Sequence, residues 1–359
     1  MNAKWLPMAL VMIALGGCNI PGLLSGDDFD GIAASSARST PTRILKGQAE
    51  ESIQSLAFSP NGQTIASGGD TQLVKLWNVN TGKVTKTLKG HDKPIDWVGY
   101  SPDGKTLASA SEGVVKLWDP STGEARLSIN TGEKGIPTVV FSPDGKRLAT
   151  LDGNDELVFW DVTSGEKLEA PSFGNKLRTI SFTPDGEQVA VVRQSSGKIE
   201  FLDLKTGERK AELSGEQSWL ADLRFSPDGK LLVSRDATEI TLWRGAAWEN
   251  GTTLENSPMT DIAEISFSPD SKRMAVAWRF GITVWDLDTG KQTRSYMWKG
   301  TPKRDDWGAI FFRQADYHEP TCVAYSPDGK RIASGISNHD IAIQSADNTW
   351  AIALWDIKP

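Results

Sequence analysis

The chain has 359 residues, 38% of them hydrophobic and 24% charged, with 34 Gly, 18 Pro and 14 Trp, a composition that excludes disorder for most of its length. A net charge of -7 argues against a nucleic-acid surface, because affinity for phosphates comes from clustered Lys and Arg. The only cysteines are Cys18 and Cys322, so there is no disulfide framework.

In chain order, residues 1–18 carry one Lys, an apolar stretch from Trp5 to Leu15, then small residues ahead of Cys18. Spanning a bilayer takes about 20 apolar residues and a secretory h-region about 7 to 15, so the stretch predicts a signal peptide. Leu15-Gly16-Gly17-Cys18 resembles the lipobox of bacterial lipoproteins. That resemblance implies removal of residues 1–17, acylation of Cys18 and a lipid anchor in the cell envelope. Asn19 after the cysteine points to the outer membrane, facing the periplasm, if the organism has one. Residues 18–41, rich in Gly, Ser, Ala and Asp, read as a flexible tether with a reach of roughly 25 to 30 Å. Asp27, Asp28 and Asp30 lack the ligand spacing and terminal Glu of an EF-hand.

Residues 42–359 are built from a repeat. The string aromatic-Ser/Thr-Pro-Asp/Asn-Gly/Ser recurs behind Phe58, Tyr100, Phe141, Phe182, Phe225, Phe267 and Tyr325. A second string, LWDxxTGK in outline, places Trp77, Trp118, Trp160, Leu202, Trp243, Trp285 and Trp355 at one equivalent position. The period is 41 to 43 residues until the last copy. Short β-branched runs such as Ile53–Phe58 predict half-buried strands, and the Pro-Asp-Gly and Thr-Gly steps predict tight turns. Both strings resemble those of the WD-repeat propeller family. The resemblance implies an all-β, seven-bladed β-propeller of four-stranded antiparallel blades, with each recurring Trp packed between neighbouring blades. The chain stops at the third strand of blade seven, and RILKG at residues 43–47 echoes TKTLKG at residues 85–90. An N-terminal strand is therefore expected to complete blade seven and close the ring.

Many WD repeats join a Gly-His dipeptide, a turn Asp, a Ser or Thr and the Trp in a hydrogen-bonded tetrad. Here only Gly90-His91 occupies the dipeptide's place, and Asp70 and Asp236 miss the Asp register by one residue. The blades are expected to rely on packing and ladder hydrogen bonds instead.

Loop lengths single out blade seven. From each third-strand Trp, or Leu202, to the next aromatic the gap is 22 to 24 residues, but it is 40 from Trp285 to Tyr325. From aromatic to Trp it is 18 to 20, but 30 from Tyr325 to Trp355. Both inserts are expected on one rim, and they hold the candidate binding residues Trp298, Trp307, Phe311, Phe312, Tyr317, His318, His339 and Trp350. Aromatics flanked by charge suit an interface, because they bury large areas at little cost in rotamer entropy; they equally suit a lid folded on its own small core.

Catalytic motifs are missing. Gly99 and Gly104-Lys105-Thr106 match a phosphate loop formally, but they span a hairpin with no following helix. His318, Glu319, His339 and Asp340 have metal-ligand chemistry without a spacing that selects a geometry. Cys322 sits in a strand beside Val323 and reads as a small core residue. No catalytic residue, cofactor or metal is expected. The expected role is a non-enzymatic interaction scaffold, tethered at the bacterial envelope and binding envelope proteins through the blade-seven loops. An envelope enzyme or sensor that takes a small ligand or metal at the rim is the alternative.

Overall fold

A computed structural model describes residues 41–46, 52–132, 138–152, 154–194, 197–213, 220–236, 238–245, 248, 251–254, 261–278, 281–297, 319–337 and 351–357. Blade one holds β2 (Ile53–Phe58), β3 (Thr64–Gly69), β4 (Val74–Asn78) and β5 (Val84–Leu88), and it pairs with nothing from β1 (Arg43–Lys46). Blade two holds β6 (Trp97–Tyr100), β7 (Leu107–Ser111), β8 (Val114–Trp118) and β9 (Ala125–Asn130). Blade three holds β10 (Val139–Phe141), β11 (Arg147–Leu151) and β12 (Leu157–Asp161). Blade four holds β13 (Leu177–Phe182), β14 (Gln188–Arg193), β15 (Ile199–Asp203) and β16 (Arg209–Leu213). Blade five holds β17 (Asp222–Phe225), β18 (Leu231–Arg235), β19 (Ile240–Arg244) and the short β20 (Thr252–Thr253). Blade six holds β21 (Glu264–Phe267), β22 (Arg273–Trp278), β23 (Gly281–Asp286) and β24 (Lys291–Met297). Blade seven holds β25 (Glu319–Tyr325), β26 (Arg331–Ser337) and β27 (Ala351–Asp356).

Every blade is an antiparallel meander, and the seven form the expected propeller. Strand β1 pairs with β27 from Arg43↔Leu354 to Lys46↔Ala351, supplying the outer strand of blade seven as the sequence predicts. Leu45 in that strand is fully buried. Blade three keeps its outer strand only as the single bridge Trp160↔Lys167.

The core is seven separate clusters, one at each junction between blades. Each recurring third-strand Trp faces the preceding blade: Trp118 packs on Leu76 and Leu88 of blade one, and Trp77 packs on Leu45 and Leu354 of blade seven. At the junction of blades three and four, Leu202 stands where the others have Trp, and Phe173 fills the space. Its ring lies 5.8 Å from Phe159, which in turn lies 5.9 Å from Phe182.

The Ser-Pro-Asp-Gly turns form a second, polar ring. In blade two, Asp103 Oδ1 accepts the Ser101 hydroxyl at 2.7 Å and the Lys105 N–H at 3.0 Å, and Ser101 Oγ accepts the Thr106 N–H. Gly104, at φ 71°, packs against Pro60 of the preceding turn: a Cβ there would stand 3.2 Å from the proline ring. This is a hairpin turn followed by a strand, with no helix N-terminus to hold a phosphate. In blade six the glycine's place is taken by Ser271, at φ 59°, whose Oγ accepts the Asp228 N–H of the preceding turn at 3.1 Å.

The expectation that packing and ladders alone hold the blades is corrected here. Trp77, Trp118, Trp160 and Trp243 donate their indole N–H to Ser67, Ser109, Thr150 and Ser234 at 2.8 to 2.9 Å. Each acceptor is on the second strand, two residues past the Trp's pairing partner. Blade four loses both groups together, with Val191 at the hydroxyl's place and Leu202 at the indole's. Asp70 and Asp236 do not complete a tetrad: Asp70 meets Gln54 at 3.5 Å, and Asp236 caps the N–H groups of Thr238 and Glu239.

Candidate functional site

The residues predicted to bind, Trp298, Trp307, Phe311, Phe312, Tyr317, His318, His339 and Trp350, all lie outside the described residues, as does the predicted lipidation site Cys18. The described strands fix where the two inserts attach. In blade seven Glu319 pairs with Ser337, and Gly335 pairs with Ile352, so β25 begins beside the end of β26 and β27 begins beside it in turn. Both inserts therefore leave from one end of one sheet.

A charged network that the motifs do not reveal leads into that blade along the innermost strands. Arg224 in β17 donates Nε to Asp222 at 3.0 Å, one terminal nitrogen to Glu264 in β21 at 2.8 Å, and the other to the Ile265 carbonyl at 2.7 Å. Glu264 Oε2 accepts the Val323 N–H of β25 at 3.0 Å. Arg235 donates to the Ile262 and Ala263 carbonyls at 2.8 and 2.9 Å. Blades five, six and seven are thus bridged by one chain of charge-assisted bonds. Burial works against the Arg224 charge, but the Asp222 and Glu264 carboxylates outweigh it and hold the guanidinium above its ordinary range. For Arg235, burial dominates and lowers it. The available signal was three charged residues, Asp222, Arg224 and Glu264, on innermost strands, at positions where the other copies carry uncharged residues such as Ser55, Trp97, Thr179 and Cys322 or Ala57, Gly99, Val140 and Ser181.

The remaining candidates are structural. His91 is buried, its Nε2 2.7 Å from Ser109 Oγ. Ser109 Oγ also accepts the Trp118 indole N–H, so one serine oxygen joins the imidazole and the indole. Cys322 is 1% exposed, and burial together with the Glu264 carboxylate pushes its thiol far up, which makes it a core residue and a poor nucleophile. Among the described residues no group of three His, Cys, Asp or Glu is placed to hold a metal ion. His318, His339 and Asp340 lie outside the described residues, as does the Glu319 side chain.

Seven antiparallel blades, six of four strands and one of three, together with inter-blade indoles and indole-hydroxyl bonds, define a WD-repeat β-propeller. The chain belongs to the family described as IFT122 first beta-propeller, which matches residues 52–297. The WD domain, G-beta repeat, matches residues 315–350. Among curated relatives, the chain is 40% identical over 74 residues to a periodic tryptophan protein 2 homolog of Dictyostelium discoideum, covering 20% of this chain and 8% of that protein. It is 34% identical over 73 residues to the serine-threonine kinase receptor-associated protein of Gallus gallus, covering 20% and 21%. It is 36% identical over 69 residues to cilia- and flagella-associated protein 52 of Sus scrofa, covering 19% and 11%. The chain thus spans at most about a fifth of these relatives' length. All three are eukaryotic and lend no support to a bacterial-envelope setting.

Proposed function

We propose that this protein is a non-enzymatic interaction scaffold whose partners dock on the two blade-seven inserts. The supporting observation is the strand register of blade seven, which launches both aromatic-rich inserts from the same end of one sheet. In blades one, two, three and five the recurring indole is bonded to a hydroxyl of its own sheet and serves the scaffold. A rigid disc with one elaborated blade presents a surface without having to reorganise on binding. The WD-repeat class of the relatives supports the scaffold role in general terms. The signal at residues 1–18 supports a lipid tether at Cys18 in a bacterial envelope, with envelope proteins as the partners.

The test is a pull-down from envelope extract with the mature protein and with a variant carrying Trp307, Phe311, Phe312 and Trp350 changed to Ser. Partners captured by the first and absent from the second are expected. Identical capture by the two overturns the loop reading. Mass spectrometry of the native amino terminus tests the anchor, with acylated Cys18 expected and an unmodified residue refuting it.

A further inference from the structure

From the edge that blade three leaves open, we infer a second docking site, separate from the blade-seven inserts, that takes an extended basic peptide as an added strand. The chain after β12 starts an outer strand and then abandons it. Asp161 donates to the Glu166 carbonyl at 2.9 Å and Leu168 donates to the Phe159 carbonyl at 2.8 Å, which frames the one bridge. Past Leu168 the segment crosses to blade four. Arg193 there holds the Phe173 and Asn175 carbonyls at 3.0 and 3.1 Å, and Phe173 is drawn into the junction beside Leu202. Gly207 of blade four lies so close that a Cβ on it would stand 2.8 Å from the Ser172 carbonyl oxygen.

What this leaves behind is a strand edge. Alternation turns the backbone groups of Leu157 outward with those of Phe159. Among the described residues no strand pairs with Leu157 and Val158 on that side, whereas in blade four the equivalent Ile199, Glu200 and Phe201 pair with Leu213, Glu212 and Ala211. A groove of about 630 Å³ lies at the edge, with Leu157, Phe159 and Leu168 among its lining residues. Outer strands of other blades also have a free edge, but they lie on the circumference with mostly exposed residues, as β5 does. The blade-three edge is one strand deeper, beside buried Leu157, Val158 and Phe159. An unpaired backbone edge beside a groove of mixed polar and apolar lining recognises another extended main chain. Its side-chain preference follows from charge: the exposed carboxylates of Glu156 and Glu169 line the groove against the single ammonium of Lys167, on a protein of net charge -7. The occupant is a short extended segment of a partner protein, with apolar or β-branched residues flanked by Lys or Arg.

The inference shares the scaffold reading but uses a different surface. The probe is a fluorescein-labelled peptide Lys-Val-Thr-Val-Thr-Val-Lys titrated into the whole protein, alongside the same peptide N-methylated at alternate residues. Saturable binding is expected, weakened at least about tenfold by N-methylation and about tenfold by the paired exposed changes Glu156→Lys and Glu169→Lys. The Leu157 and Phe159 amides exchange quickly in the free protein and gain protection with the peptide. Equal binding of the N-methylated peptide overturns the proposal, as does no binding up to about 1 mM. Protection of these amides without peptide, in a concentration-dependent dimer, overturns it in favour of a second copy of the chain. The blade-seven Ser variant retains peptide binding, so failure of one reading is distinguishable from failure of the other.

Discussion

Acidification from pH 7 to pH 4.5 perturbs one buried group in particular. His91 is 7% exposed, tilted against the Trp118 ring at a centroid distance of 6.1 Å, with its Nε2 facing a serine that also holds the indole. Burial first, and then the Lys116 charge, lower its pKa from 6.5 to about 4, against a smaller opposing effect of Asp92. The folded protein therefore keeps the imidazole neutral at pH values where the unfolded chain has already bound a proton. Stability from this group is complete above pH 6.5 and is lost as the pH falls towards 4, a total of about 3 kcal/mol, of which about 2 kcal/mol has gone by pH 4.5. The turn carboxylates Asp103, Asp144, Asp228, Asp270 and Asp328 are held below their usual range by serine hydroxyls and backbone N–H groups, Asp103 chiefly by the Lys105 N–H, so their stabilising effect is lost only at lower pH. Asp96, raised by burial, acts in the opposite sense and is common to wild type and variant. Urea unfolding at pH 7, 5.5 and 4.5 of the wild type and of His91→Gln, whose neutral amide can still hydrogen-bond Ser109 but does not titrate, isolates the imidazole. Wild type is expected to lose about 2 kcal/mol more than the variant across this range. Parallel losses in the two proteins would refute the reasoning.

Three further outcomes are expected. Ser109→Ala leaves both the Trp118 N–H and His91 without their partner and costs about 1 to 3 kcal/mol in urea unfolding, with a less than additive effect when combined with His91→Gln. Phe173→Ala opens the junction of blades three and four at a cost of about 3 to 5 kcal/mol, and Leu202→Trp, which overpacks the wild type, recovers part of that loss in the double variant. Leu45→Ala weakens the strand that closes the ring by about 2 to 5 kcal/mol, and amide exchange at Leu354 and Ile352 quickens more than at Leu76 in blade one.

The blade count, the inter-blade tryptophans and the closing strand were all legible in the sequence. Seven copies of one environment impose the same residues seven times, and RILKG at residues 43–47 has to match the outer strand it replaces. The lost outer strand of blade three was not legible. It depends on Leu202 leaving room for Phe173 and on Arg193 gripping carbonyls some 20 positions away, contacts that exist only once two blades are side by side. The indole-hydroxyl bonds were half legible. Ser67, Ser109, Thr150 and Ser234 occupy one register, but that register matters only when the second and third strands are paired. Length and composition mark out the blade-seven inserts, and the structure adds where they attach.

The closing strand also sets an order of events. Thr42 bonds the Leu354 carbonyl across 312 positions of sequence, so the first strand of the ring has no partner until the last has been made. Blades one to six can each collapse from neighbouring residues, but the circle is finished by one of the most distant pairings in the chain. Contacts of such separation come late and slowly, because the loop entropy must be spent before they form. Until then Trp77 faces a gap where Leu45 and Leu354 belong, and the half-made ring carries an apolar seam in need of protection from other chains.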